Sequence, residues 1–154
     1  MAACPEVGQL IDTLGSKGDR LWPSEKWPPM RFDRSLQIGA SGGHGPIRYT
    51  IDRYDPGQTI RFRFLSPRGF HGTHGFEVVS SEPGKCKLVH TLEMITSGMA
   101  ILAWPVIYRP LHDALLEDLL DKAERNFSDI NRSREWSSWV KFLRWGFRLF
   151  KIRK

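Results

Sequence analysis

The chain has 154 residues, of which 40% are hydrophobic and 26% are charged, so it is long enough for one domain with a real core. Its two cysteines, Cys4 and Cys86, are too few for a disulfide framework or a metal site by themselves, which favours a reducing, intracellular setting. Residues 1–10 lack the pattern of a signal peptide, and the longest apolar run, residues 98–108, is too short to cross a bilayer. We therefore expect a cytoplasmic protein that is at most peripheral on a membrane.

The net charge of +6 is concentrated near the C-terminal end. Residues 132–154 hold eight Lys or Arg and one acid, a net charge of +7, whereas the rest of the chain sums to −1. Any argument from charge to a partner therefore concerns this tail only. We divide the chain into a body, residues 1–127, and a tail, residues 128–154.

The body opens with a predicted short helix over residues 5–14, with Pro5 near its start and Gly15 as a stop signal. Two Trp-Pro pairs, Trp22-Pro23 and Trp27-Pro28, then predict an extended, irregular course.

The glycine-rich stretch "GASGGHGP", residues 39–46, invites comparison with a phosphate-binding loop. A nucleotide site needs a helix directly after the glycines, yet the following residues alternate as in a strand. We predict a connection between strands, with His44 near a cavity mouth or on the surface, and no nucleotide binding.

Four strands are predicted next, over residues 46–54, 59–65, 73–80 and 85–95, separated by Pro/Gly turns. This spacing is typical of an antiparallel meander. Ile60, Phe62 and Phe64 alternate with two arginines, so their side chains are expected on the inner face. In the last strand both faces are mixed, and the pattern does not decide which one faces inward.

A helix is predicted from Leu111 onward, and Pro105 and Pro110 are expected to kink or interrupt any helix before it. Asp118 and Lys122 are spaced as an i, i+4 pair on its surface. The apolar face of this helix comprises Leu111, Leu115, Leu116, Leu119, Leu120, Ala123 and Phe127.

This α+β layout, a curved antiparallel sheet followed by a long helix, is that of a helix-grip fold. The chain resembles the START/polyketide-cyclase superfamily, SRPBCC, through "DRLWPSEKWPPM", "GGHGPIRYTIDRYDPGQTIRFRF", "GFHGTHGFEV" and "WPVIYRPLHDALLEDLLDKAE". The similarity covers residues 5–127. It implies a deep, largely apolar cavity between sheet and helix for lipids, sterols, polyketides or other hydrophobic ligands. Members usually open with a strand before the first helix, and we expect either that this strand is absent here or that the chain starts late.

The leading functional hypothesis is binding of a hydrophobic small molecule, without a cofactor. The expected lining is Tyr49, Phe62, Phe64, His74, Phe76, His90, Leu92, Tyr108 and His112. The alternative is that these side chains only form the hydrophobic core, because aromatic and aliphatic residues on the inner face of a sheet often do.

His112 lies in the middle of the apolar helix face, where it could orient a ligand or act as acid or base beside Tyr108. The alternative function is therefore a cyclase, dehydratase or hydrolase acting on a polyketide-like or lipid substrate, with His112 catalytic and Tyr108 or His90 assisting. For His112 itself, a structural role, either as a core histidine bonded to a backbone carbonyl or as a polar residue near the helix N-terminus, is favoured over a functional one. His71 and His74 form an H-x-x-H pair in a Gly-rich loop without a third ligand, so no metal site is expected.

The tail predicts an amphipathic helix over residues 135–151 that lies on an anionic membrane surface. Its membrane contacts are expected to be Trp136, Trp139, Lys141, Arg144 and Arg148. The alternatives are docking to a protein partner and packing on the body or on a second copy in a homodimer. Nucleic acid is not expected as a partner, because it would not need so large an apolar half.

Overall fold

The computed structural model describes residues 4–128 and 134–152, without the side chains of residues 149–152. The fold is α+β, with six strands in one curled antiparallel sheet whose spatial order is the order of the chain. The helix α1 (Cys4–Asp12) precedes this sheet. The strands are β1 (Arg31–Phe32), β2 (Ser41–His44), β3 (Ile47–Asp55), β4 (Thr59–Ser66), β5 (Phe70–Glu82) and β6 (Lys85–Thr96). The helices after the sheet are α2 (Ala100–Ala103), α3 (Arg109–Arg125) and α4 (Ser138–Ile152).

The predicted antiparallel meander is present, and its four strands are β3 to β6. Sequence reasoning missed β1 and β2, the latter lying inside the glycine-rich stretch that had been interpreted as a connection. Gly42 and Gly43 allow β2 to pair closely, since a Cβ there would lie 2.1 Å from the Arg31 carbonyl oxygen and 2.0 Å from that of Ile47. The expected absence of a strand before α1 concerns residues 1–3, which lie outside the described residues.

The prolines do not end the helical run that follows the sheet. A π-helical turn, Trp104–Tyr108, joins α2 to α3 without a break. In this turn the Arg109 N–H donates to the Trp104 carbonyl, five residues back. Pro105 lies inside this π-helical turn and Pro110 in the first turn of α3, so the α-helical pattern is interrupted at the prolines without ending.

The core lies between the inner face of the sheet, α1 and α3. Its largest fully buried side chains include Leu10 of α1, Tyr49 and Phe62 of the sheet, and Leu119 of α3. In β6, Leu88, His90, Leu92 and Met94 are half-buried and alternate with exposed neighbours, which shows the face that the sequence left undecided.

Asp118 corrects the predicted surface pair with Lys122, because its side chain is only 3% exposed. Its carboxylate accepts hydrogen bonds from Lys26 Nζ at 2.5 Å and from the indole N–H groups of Trp27 and Trp136, both at 2.8 Å. Burial raises the pKa of Asp118, but the three donors outweigh it and the net pKa is lowered. Lys122 instead donates to the backbone carbonyl of Trp22.

The helix α4 packs on the body around this carboxylate. Val140 of α4 is 4% exposed and belongs to the main core. The Arg144 guanidinium lies 4.1 Å from the centre of the Trp27 ring and 4.0 Å from that of Trp136, a cation–π contact on both sides. One face of the predicted amphipathic helix is therefore used inside the molecule.

A disulfide joins Cys4, at the start of α1, to Cys86 in β6, with a Cα–Cα distance of 5.2 Å. Sequence reasoning did not foresee this pairing, because 82 residues separate the two cysteines. The disulfide holds α1 against the sheet. None of the helices among the described residues is long and apolar enough to span a membrane.

Candidate functional site

Five polar aromatic side chains from five different elements meet between the sheet and α3. We call His44, Tyr49, His74, His90 and His112 the ring cluster. Successive ring centres are 6.1 Å apart for His44 and Tyr49, 5.1 Å for Tyr49 and His74, 5.8 Å for His74 and His90, and 5.2 Å for His90 and His112. The cluster thus runs from β2 across the inner face of the sheet to the first turn of α3.

Strand pairing explains this convergence. His90 is directly opposite Phe76 in the β5–β6 register, and His74 is opposite Leu92. His74 and His90 are therefore diagonal neighbours on one face, a separation that ring side chains can bridge. His112 reaches the same face from above, because α3 turns it toward the sheet.

Apolar aromatic rings surround the cluster. Phe62 and Phe64 lie 5.1 Å and 4.8 Å from the His74 ring, Trp22 lies 4.6 Å from the His44 ring, and Trp104 lies 5.8 Å from the His112 ring. The setting is apolar, with polar atoms embedded in it.

Three of these polar atoms have no hydrogen-bond partner. Among the buried side-chain atoms of the described residues, Tyr49 Oη, His74 Nε2 and His112 Nε2 are unpartnered and belong to the ring cluster. Most buried polar atoms in proteins are hydrogen-bonded, so three exceptions in one cluster require an explanation.

The cluster is uncharged at neutral pH. Burial, followed by repulsion from His112, lowers the pKa of His44 and of His90 to about 3. Burial also lowers the pKa of His74 well below its usual range, and that of His112 despite the opposing effect of Asp113. Burial raises the pKa of the Tyr49 phenol.

His112 has a geometry suited to proton transfer. Its Nδ1 lies 3.1 Å from Asp113 Oδ1, and a carboxylate accepts, so this contact places the proton on Nδ1. Nε2 is then an acceptor directed into the interior. An oriented imidazole with one unpartnered nitrogen is the arrangement that a general base requires.

The structure brings most of the predicted lining residues together. Tyr49, Phe62, Phe64, His74, Phe76, His90 and His112 form one connected set of ring contacts. Leu92 is half-buried on the same face. Tyr108 contacts Phe70, with ring centres 5.0 Å apart, and joins the set through the contact of Phe70 with Phe64.

Sequence reasoning missed Trp22, Phe70 and Trp104. His44, expected near a cavity mouth or on the surface, is half-buried at one end of the cluster, where its ring contacts Trp22 and Tyr49. Alternation within "SGGH" could have indicated a strand, but glycines carry no side chains from which to read a buried face.

The H-x-x-H histidines are separated by the sheet. His74 faces inward, whereas His71 is exposed and its Nε2 lies 2.8 Å from Ser97 Oγ. Within the two described ranges, no group of three or more His, Cys, Asp or Glu is placed to hold a metal ion.

Two surface clefts are present, and His74 is the one residue of the ring cluster that borders either of them. One, of about 470 Å³, is bordered by the end of α1, Phe32, residues 34–36 and Tyr54. The other, of about 180 Å³, lies on the outer face of the sheet beside Arg53, Arg61 and Glu93. Between the sheet and α3, where the resemblance implies a deep cavity, the ring contacts occupy the space.

The five predicted membrane contacts separate into two groups. Trp136 and Arg144 pack on the body, as described above. Trp139, Lys141 and Arg148 are exposed, and the Trp139 indole donates to the Val106 carbonyl at 2.8 Å.

Comparison of the chain with protein-family models, with curated proteins and with solved structures found no match.

Proposed function

We propose that this protein binds a hydrophobic small molecule between the inner face of the sheet and α3, in a helix-grip arrangement like that of the superfamily it resembles. The observation that carries the proposal is the presence of unpartnered buried polar atoms in an otherwise apolar ring cluster. Leaving one buried polar group unsatisfied costs about 1–3 kcal/mol, so three of them favour a partner that supplies the missing bonds.

Access to the cluster is easiest at the first turn of α3. The His112 side chain is 23% exposed and Trp104, Leu92 and Met94 are half-buried, whereas Tyr49 and Phe62 are fully buried. A ligand therefore enters beside His112 and displaces side chains at this end. Burial of its apolar surface contributes roughly 25 cal/mol per Å².

We expect the neutral apolar dye Nile red to bind saturably, one molecule per chain, in a fluorescence titration. Met94→Trp, which adds bulk on the inner face of β6 in the same row as His90 and Leu92, should weaken binding at least tenfold. Ile95→Trp is the matched control, because Ile95 is the next residue along β6 and is 77% exposed on the outer face. Equal affinity in both variants, or no saturable binding to the unaltered protein, would rule out this site.

We also propose that α4 holds the protein on an anionic membrane, the source of the ligand. Trp139, Phe142 and Trp145 form an exposed row of stacked or tilted rings, with centres 5.4 Å and 6.0 Å apart. They are 44%, 54% and 58% exposed. The hydrogen bond from Trp139 to Val106 places this row beside the π-helical turn, near the proposed entrance. Lys141 and Arg148 border it, and the net positive charge of the chain lies in the tail.

Replacing Phe142 and Trp145 together by Ser is expected to reduce co-sedimentation with phosphatidylserine-containing liposomes at least tenfold, because the variant loses two apolar anchors. Binding of the unaltered protein should weaken, but not vanish, in high salt. Leu65→Ser removes an apolar side chain that is 59% exposed on β4 and serves as the control. Unchanged partitioning of the double variant would assign the aromatic row to a protein contact, such as a second copy of the chain.

A further inference from the structure

We infer that the ligand of the proposed site is an apolar molecule carrying an uncharged hydroxyl group, a phenol or an alcohol, which hydrogen-bonds within the ring cluster. The inference rests on the proposed function and specifies the chemistry of its ligand.

The unpartnered atoms define which group fits. His112 Nε2 is an acceptor, because the contact with Asp113 places the ring proton on Nδ1. Tyr49 Oη both donates and accepts, and His74 Nε2 does one or the other according to its tautomer. A hydroxyl group can bond any one of these atoms, since it both donates and accepts, whereas a hydrocarbon satisfies none of them and a ketone has no proton for His112.

The charges around the cluster disfavour an anionic ligand. Asp113 is bound to the outer side of the His112 ring, and its side chain is 58% exposed. The Arg48 guanidinium is exposed and donates to the backbone carbonyls of Gly45 and Ile47. No Lys or Arg among the described residues ring-stacks or hydrogen-bonds with the cluster, so a carboxylate ligand would be buried without a counter-ion, which is costly. The four imidazoles are uncharged, so they do not supply a counter-ion for a carboxylate either.

The test compares three ligands of one shape, 1-naphthol, naphthalene and 1-naphthoate, by fluorescence titration at pH 7.5. We expect 1-naphthol to bind at least tenfold more tightly than the other two. In Tyr49→Phe this preference over naphthalene should fall below threefold. Tyr54→Phe is the matched control, because the Tyr54 hydroxyl bonds Asp12 outside the cluster, and it should keep the full preference.

The outcomes separate this inference from the proposed function. Saturable binding of Nile red with equal affinities for 1-naphthol and naphthalene overturns the inference and leaves the proposed function standing. Tighter binding of 1-naphthoate than of 1-naphthol also overturns it, in favour of an anion site. If neither Nile red nor any naphthalene derivative binds, the proposed function fails and the inference with it. Because the comparison is between ligands on one protein, partial unfolding of a variant cannot produce the expected preference.

Discussion

Lowering the pH from 7.5 to 5.5 is expected to destabilise the protein steeply. Burial lowers the pKa of His44, His74, His90 and His112 in the folded state, whereas an unfolded histidine titrates near 6.5. Below pH 6.5 the unfolded chain therefore binds more protons than the folded one, and the free energy of unfolding falls with pH. Each histidine that stays unprotonated in the folded state contributes up to about 1.4 kcal/mol per pH unit, so His44, His74 and His90 together give a slope of up to about 4 kcal/mol per unit, and His112 adds to it.

Urea unfolding at pH 7.5, 6.5 and 5.5 measures this slope. His90→Gln should lower the slope by the amount that corresponds to about one proton, because Gln does not titrate. His71→Gln is the control, since His71 is exposed on the opposite face of β5 and lies outside the ring cluster, and it should leave the slope unchanged. A slope corresponding to less than one proton between pH 6.5 and 5.5 would contradict a buried, uncharged cluster.

Asp118→Ala is expected to destabilise the protein by about 3–5 kcal/mol, the usual cost of removing one partner from a buried ionic pair. The change leaves the Lys26 ammonium and the indole N–H groups of Trp27 and Trp136 without their acceptor. It should also loosen the packing of α4, because the Arg144 guanidinium of α4 contacts both of those indole rings. Denaturant unfolding and tryptophan fluorescence measure the two effects.

Glu117→Ala is the matched control on the preceding residue of α3. Glu117 forms an exposed ion pair with Arg134, so its loss should cost at most about 1 kcal/mol. Because the pKa of Asp118 is lowered in the folded protein, its stabilising contribution should persist above pH 4 and disappear only as the pH falls through that folded pKa. Equal stabilities for the two variants would show that Asp118 does not organise this interface.

The sheet could be predicted where side chains alternate, and not where glycines replace them. The inner face of β4 follows from Ile60, Phe62 and Phe64 alone, and the turns between strands follow from Pro and Gly. β2 could not be recognised in the same way. Gly42 and Gly43 allow close backbone pairing, and they have no side chains whose alternation could indicate a strand.

Only part of the candidate site was predictable from single residues, and none of it as a cluster. The helical face indicated His112 as inward-facing, but the alternation in β6 left the face of His90 undecided, and nothing in the spacing showed that the histidines meet. Their convergence depends on strand register and on the position of α3, which are properties of the whole fold. Asp118 shows the same limit, since its three donors come from residues 26, 27 and 136.

The central claim, that the ring cluster is a ligand site, is tested most directly by NMR of protein with ¹³C-labelled histidine rings, titrated with 1-naphthol. All five histidines are then observed at once, and His71 provides an internal control. We expect the resonances of His74 and His112 to shift saturably, with smaller shifts at His44 and His90 and none at His71. Saturable binding of 1-naphthol that leaves the four cluster histidines unshifted would place the ligand elsewhere and contradict the claim.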